Sequence, residues 1–283
     1  MKRHRSFDTP EARLFLVATP IGNLSEMSPR ALETLQNVDY IACEDTRVSG
    51  VLLKHFNIKK PLISCHEHNE IIVSNELISL LRDQKKVAYV SDAGYPSISD
   101  PGRRLVAFAL ESDIKISVIS GPSAVLNALV GSGLNTDRFY FHGFLPTKAN
   151  ARKSELQGLY LRTETLIFYE APHRIGLTLK ALKDTLGYRK ACIARELTKK
   201  YEEFIYGTLN ELAEIEPETL KGEMVIVVDG NTDELQTKIG DDEILAFINS
   251  LTDMGISTKD AIKQASSVLK VQKNYIYKLI HRN

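Results

Sequence analysis

Cysteine is scarce in this chain: Cys43, Cys65 and Cys192 are the three in 283 residues, and they lie far apart. That spacing gives neither a metal-ligand pattern nor a disulfide framework, which fits a reducing, cytoplasmic setting. Net charge is missing too, since 36 Lys and Arg balance 36 Asp and Glu. No overall field announces a polyanionic partner, so a nucleic acid would have to be held by local basic clusters. No apolar run reaches the ~18 residues of a membrane span. The basic start, MKRHRSFDTPEAR, has no apolar segment behind it, so residues 1–12 read as a flexible tail rather than a secretory signal. Familiar signatures are absent as well. There is no Gly-x-Ser-x-Gly elbow and no Walker loop. Gly131-Ser132-Gly133 lacks the third glycine of a dinucleotide fingerprint and sits in a linker. His66 and His68 stand two apart, which suits a loop or strand face better than a helical metal site, and no metal is expected.

What is present is ordinary globular material, 43% hydrophobic and 25% charged, long enough for about two domains. Short apolar runs alternate with amphipathic ones over residues 13–130. Leu14–Ala18, Tyr40–Cys43, Leu62–Ser64, Val87–Val90 and Ile116–Ile119 read as strands, each followed by a helix. That order predicts an α/β domain with a parallel sheet and right-handed crossovers. Three strand ends carry glycine- and proline-bearing loops: TPIGN after the first, SDAGYPSISDPG after the fourth and SGPSA after the fifth. In open α/β sheets ligands collect at the carboxyl ends of strands. Three such loops on one predicted sheet suggest a shared rim for a small ligand. In the longest, Asp100-Pro101 reads as a carboxylate N-cap followed by proline at the first helical position.

Gly131–Asp137 reads as a linker, and residues 137–230 as a second α/β domain with a mixed sheet. Its strand ends are charged: Glu170-Ala171-Pro172-His173-Arg174, then Arg195-Glu196-Leu197-Thr198-Lys199-Lys200, then Lys221-Gly222-Glu223. Carboxylate, imidazole and guanidinium at one strand end could bind a phosphate and assist proton removal. Singly, each group reads more readily as a solvated rim pair. Asn231–Gly240 is a polar linker, and residues 241–283 read as a small helical domain. Its last helix carries Lys273, Tyr275, Tyr277, Lys278, His281 and Arg282, a basic, tyrosine-bearing face open to two readings, RNA contact or a capping bundle.

The segments LFLVATPIGNLSEMSPRALETL, ACEDTR, VSDAGYPSISDPG, SGPSAVLNAL, FYEAPHRI, ARELTKKYEE and GEMVIVV cover Leu14–Val228 nearly continuously. In order and spacing the chain resembles the tetrapyrrole methylase fold of S-adenosylmethionine-dependent methyltransferases. Within it, the resemblance is to the branch that methylates a cytidine 2′-hydroxyl in the decoding region of 16S ribosomal RNA. The resemblance implies a bilobed enzyme, usually a homodimer, with S-adenosylmethionine between the lobes. It places cofactor contacts at Pro20, Asp92, Gly94, Tyr95, Ser123, Ala124, Glu170, Ala194 and Met224. Tyr95 stands where members often have threonine, and its larger side chain is expected to shield that edge of the pocket.

Methyl transfer from a sulfonium needs an in-line nucleophile held close to the methyl carbon. The donor is already activated, so no metal is required, but a ribose hydroxyl needs a proton acceptor. Glu170 is the first expectation, with His173 or Asp45 as substitutes. Arg47, Arg174, Arg195 and Lys199 are expected to grip phosphates of the small-subunit RNA, with His66 beside them. Two other readings stay open: a methyltransferase acting on a tetrapyrrole or a modified protein histidine, and a non-catalytic RNA-binding assembly factor.

Overall fold

A computed structural model describes residues 13–231, 241–269, 271 and 273–280. The expectations for the tail at 1–12, for most of the polar linker (232–240), and for His281 and Arg282 lie outside the described residues.

The first sheet contains β1 (Arg13–Val17), β2 (Tyr40–Cys43), β3 (Leu62–Ser64), β4 (Val87–Val90) and β5 (Lys115–Ile119) in the order β3-β2-β4-β1-β5. All its pairings are parallel. VAYV of β4 is buried along its whole length, as a strand covered on both faces must be. Helices α1 (Pro29–Asn37) and α2 (Thr46–His55) cover one face through Ala31, Leu35 and Leu53. Helices α3 (Glu70–Arg82) and α4 (Arg103–Glu111) cover the other through Leu77, Leu81, Leu105 and Ala109. Because β1 lies between β4 and β5, the loops that follow these three strands emerge side by side.

α2 begins at Thr46, capped by the Asp45 side chain, which accepts from the Arg47 N–H. One helix start differs from the sequence expectation. α4 begins at Arg103, and Asp100 is not its cap. The cap position falls on Gly102, at φ +127°, where a Cβ would meet the Tyr89 ring at 2.7 Å. Glu70, at the start of α3, supplies the carboxylate instead, accepting from the Gly102 and Arg104 N–H groups at 2.9 and 3.1 Å. One buried carboxylate thus complements the positive ends of two helices.

α5 (Ala124–Gly131) follows β5 in sequence but packs on the second sheet, its Val125, Ala128 and Leu129 meeting Ile167, Cys192, Val225 and Val227. That sheet is built from β6 (Phe139–Phe144), β7 (Thr165–Glu170), β8 (Lys190–Arg195), β9 (Glu203–Thr208) and β10 (Met224–Val228), in the order β6-β7-β10-β8-β9. It is mixed: β6 and β7 are parallel, while β10 is antiparallel to both β7 and β8, as is β8 to β9. Its other face is filled by α6 (Ala149–Leu159), α7 (Ile175–Leu186) and the short α8 (Leu209–Leu212), around Phe168, Leu179, Leu182 and Ile226. Each of these fully buried large apolar side chains stabilises the fold by roughly 1.5–3 kcal/mol. The described residues up to Gly230 form one compact unit and those from Asn231 onward another. In the second unit α9 (Asp241–Asp253), α10 (Thr258–Val268) and α11 (Lys273–Ile280) surround their own core of Ile244, Ile248, Ala261, Ala265 and Ile276. Lys273, Tyr275, Tyr277 and Lys278 are exposed on α11.

Candidate active site between two sets of strand ends

The three loops of the first sheet are tied into one rim by main-chain hydrogen bonds. Thr19 and Gly94 exchange both of theirs, at 2.9 and 3.0 Å, which joins the first loop to the second. The Thr19 hydroxyl donates to the Ser91 carbonyl, and the Ser91 hydroxyl to the Gly94 carbonyl. Gly121 of the third loop lies against Ala18, where an added Cβ would come within 2.9 Å of the Ala18 Cβ. Tyr95 completes the set: its hydroxyl accepts from the Gly121 N–H at 3.2 Å. Its ring therefore both lines the pocket edge and stitches the second loop to the third.

The second sheet presents the ends of β6, β7 and β8 and the start of β10 at one edge, with Met224 in register with both Glu170 and Arg195. The two edges meet. A Cβ added to Gly22 would fall 2.5 Å from Lys199 Cγ and 3.2 Å from the Leu197 carbonyl oxygen. Between them lies a cavity of about 300 Å³, the low end of the usual range for small-molecule sites. Ile21, Gly94, Tyr95, Ile98, Asp100, Ser123 and Ala124 line it from the first sheet; Phe144, Tyr169, Glu170, Leu197, Glu223, Met224 and Val225 line it from the second.

Of the expected cofactor contacts, Gly94, Tyr95, Ser123, Ala124, Glu170 and Met224 thus come together on this wall. Pro20 and Asp92 sit one residue behind Ile21 and Ala93, and Ala194 pairs with Val225 across the sheet. Asp100-Pro101 predicts a helix cap at Asp100. It lines the cavity instead, half-buried, and burial pushes its carboxyl up to about 6, with Glu44 and Asp92 acting in the same direction. Burial also raises Asp92 and Glu44. Among the described residues the cavity lining contains three carboxylate side chains and no lysine, arginine or histidine.

The expected proton acceptors differ sharply in surroundings. The Glu170 side chain has 0% exposure and is paired with Arg174 Nε at 3.3 Å. Its oxygens also accept from the Ala171 N–H and the Thr178 hydroxyl. These bonds fix the start of α7 and leave the carboxylate closed to an acceptor. Asp45 is half-buried, and its bonds from Arg47 hold it down to about 2, which makes it a feeble base. His173 is exposed on the turn after Pro172, a residue of the cavity wall.

The expected phosphate-gripping cations have carboxylate partners: Arg47 with Asp45, Arg174 with Glu170, Arg195 with Glu203, and Lys199 with both Glu196 and Glu223. Arg174 also donates to the Leu145 carbonyl. Arg47 is the most open of the four, its side chain 90% exposed. His66 and His68 pack edge to face, and among the described residues no group of three or more His, Cys, Asp or Glu is placed to hold a metal.

Comparison with known proteins agrees with this architecture. The family of tetrapyrrole (corrin/porphyrin) methylases matches residues 13–213. The chain is 46% identical, over 94% of its length and 96% of the relative's, to ribosomal RNA small subunit methyltransferase I of Synechocystis sp.. It is 42% identical to the protein of that name from Halalkalibacterium halodurans, with complete coverage of both, and 39% identical to that from Bacillus subtilis, with 99% of each covered. Among solved structures, uroporphyrin-III-C-methyltransferase from Thermus thermophilus superposes with a TM-score of 0.54 at 19% identity, over 77% of this chain and 94% of that one. The methyltransferase CobJ superposes with a TM-score of 0.59 at 16% identity, over 78% and 95%.

Proposed function

We propose a function from one premise: this chain belongs to the tetrapyrrole (corrin/porphyrin) methylase family. Within it, the protein transfers the methyl group of S-adenosylmethionine to 16S ribosomal RNA of the small subunit, at the 2′-hydroxyl of a cytidine in the decoding region. The observation that carries the donor is the charge of the cavity. Two of the wall's three carboxylates are ion-paired, Glu170 with Arg174 and Glu223 with Lys199, which leaves Asp100 as the wall carboxylate that suits a positively charged molecule. The class of acceptor rests on the names of relatives 39–46% identical over nearly the whole chain.

When bound, the donor supplies a methyl group already activated on a sulfonium. Asp100 would hold its positive charge, and the N-terminus of α5 at Ser123 and Ala124 would suit the donor's carboxylate. Apolar Ile21, Leu197, Met224 and Val225 exclude water from the inner wall. Glu170 acts as a positioning residue, anchoring Arg174 and Thr178 at the β7–α7 turn. His173, on that turn, takes the acceptor's proton. Replacing it (His173→Gln) should lower kcat on the order of 10²-fold while donor affinity stays unchanged; parallel loss of donor affinity would place His173 elsewhere in the mechanism. Arg47 contacts the RNA backbone, and the exposed Lys273, Tyr275, Tyr277 and Lys278 of α11 offer a second contact. The cytoplasmic enzyme works as a homodimer, for which Leu126 and Val130 of α5 and Tyr206 of the edge strand β9 supply exposed apolar surface.

The test is transfer of a tritiated methyl group to small subunits isolated from a strain lacking the enzyme. Label in 16S ribosomal RNA supports the reading. Label in a tetrapyrrole or a protein, or in nothing, overturns it.

A further inference from the structure

The edge strand β6 contains an irregularity that aims one side chain. Phe141 is in register with Ile167, but Gly143 is in register with Phe168 and Phe144 with Tyr169. His142 is therefore one residue too many, and Gly143 takes φ +83°, which favours glycine. Strict alternation would put Phe141 and Phe144 on opposite faces of the sheet. The extra residue cancels that, because their partners Ile167 and Tyr169 are two apart on β7 and share a face. Both phenylalanine rings consequently meet Tyr169, with centroids at 4.9 and 5.5 Å. The bulge is held in place: the His142 ring lies against Tyr140 and Phe168, and its Nε2 is 3.0 Å from Glu155 of α6.

Phe141 is partly buried against the core under α5, whereas Phe144 lines the cavity and remains 54% exposed. From the first sheet, Ile98 lines the same cavity and is 48% exposed. Its neighbours Ser97 and Ser99 both take left-handed conformations, at φ 72° and 62°, an uncommon arrangement that clusters at functional sites. The two features are neighbours, since a Cβ at Gly143 would lie 3.6 Å from the Ser99 hydroxyl. Each half of the cavity thus spends an irregular stretch of backbone on presenting an apolar side chain at the opening. Phe144 also stands on the opposite side of the sheet from β8, where the expected donor contact Ala194 lies.

We propose that Phe144 is the face on which the acceptor nucleotide's base stacks, with Ile98 closing the slot from the other side. This rests on the reading of the acceptor as RNA and deepens it. An apolar slot with an aromatic floor takes a base splayed from a single strand. Stacking tolerates any base, so the slot's contribution is to place the ribose beside the methyl donor rather than to choose the sequence.

The test measures kcat/KM for small subunits and, separately, donor affinity by calorimetry, in wild type, Phe144→Ala, Phe144→Leu and Phe144→Tyr. Truncating a half-exposed ring at a cavity mouth leaves the core intact, and equal thermal midpoints verify this. The expected result is a loss in kcat/KM on the order of 5- to 150-fold for the alanine and leucine variants, recovery with tyrosine, and one donor affinity throughout. A leucine variant as active as wild type, or donor affinity falling in step with activity, overturns the proposal. Wild-type protein that binds the donor but methylates no small-subunit RNA overturns the proposed acceptor as well, and is read from the wild-type sample alone.

Discussion

Residue identity was legible in the sequence, but residue partnership was not. Glu170 reads as a carboxylate at a strand tip, yet its role follows from Thr178 and Arg174, which close around it. Arg47 reads as a free cation, but Asp45, two residues earlier, occupies its guanidinium at 2.6 Å. Replacing Arg47 with alanine should weaken RNA binding and flatten the salt dependence by about one unit of slope; an unchanged slope would place the phosphate contact on another side chain. Asp100 reads as a cap because Asp-Pro usually precedes a helix, and no local signal says that its carboxyl faces a cavity. Its raised carboxyl also makes a stability prediction. A folded-state value near 6 against an ordinary 3.8 means that the folded donor-free protein binds the proton more tightly than the unfolded chain. Stability therefore falls as pH rises from about 4 to 6, and at pH 7 the ionised group is a burden. Asp100→Asn should raise the stability of the donor-free protein at pH 7 by about 1 kcal/mol, discounted for the side chain's remaining exposure. Thermal melts at pH 7 and pH 4 check this, the difference shrinking at the lower pH.

Elements were more legible than residues. VAYV, YIAC and LFLV announce buried strands, and Ser28-Pro29 and Ser123 mark helix starts that the structure uses, each serine accepting from an N–H three residues on. These signals are local, so a single sequence carries them. The start of α4 was misplaced because its acceptor, Glu70, lies 32 residues away from Gly102. The bulge at His142 was hidden for a related reason, since register belongs to a pair of strands and not to one. Glu70 offers a clean measurement. Glu70→Ala should destabilise the protein by about 1–2 kcal/mol through loss of the α4 cap, with Glu70→Gln losing less because it keeps an acceptor. Chemical denaturation that finds the two variants equal to wild type would mean that α4 is capped some other way.

For the molecule as a whole, alternating strands and helices gave the parallel sheet, and three punctuated loops gave the edge that faces the cavity. The crossover of α5 onto the second sheet was not legible: AVLNALV is apolar but for Asn127 and names no neighbour. That crossover is what brings charged strand ends and glycine loops around one cavity, so the pocket belongs to the pairing of the two sheets. The account's central claim is that Asp100 gives this cavity its hold on a cationic methyl donor. Calorimetric titration of S-adenosylmethionine into wild type and Asp100→Asn, from pH 5 to pH 8, tests it most directly. Wild-type affinity should rise as pH climbs through about 6 and the carboxyl ionises, while the asparagine variant should bind at least about tenfold more weakly, the equivalent of 1.4 kcal/mol, and show no such step. Equal affinities with the same pH profile would contradict the claim.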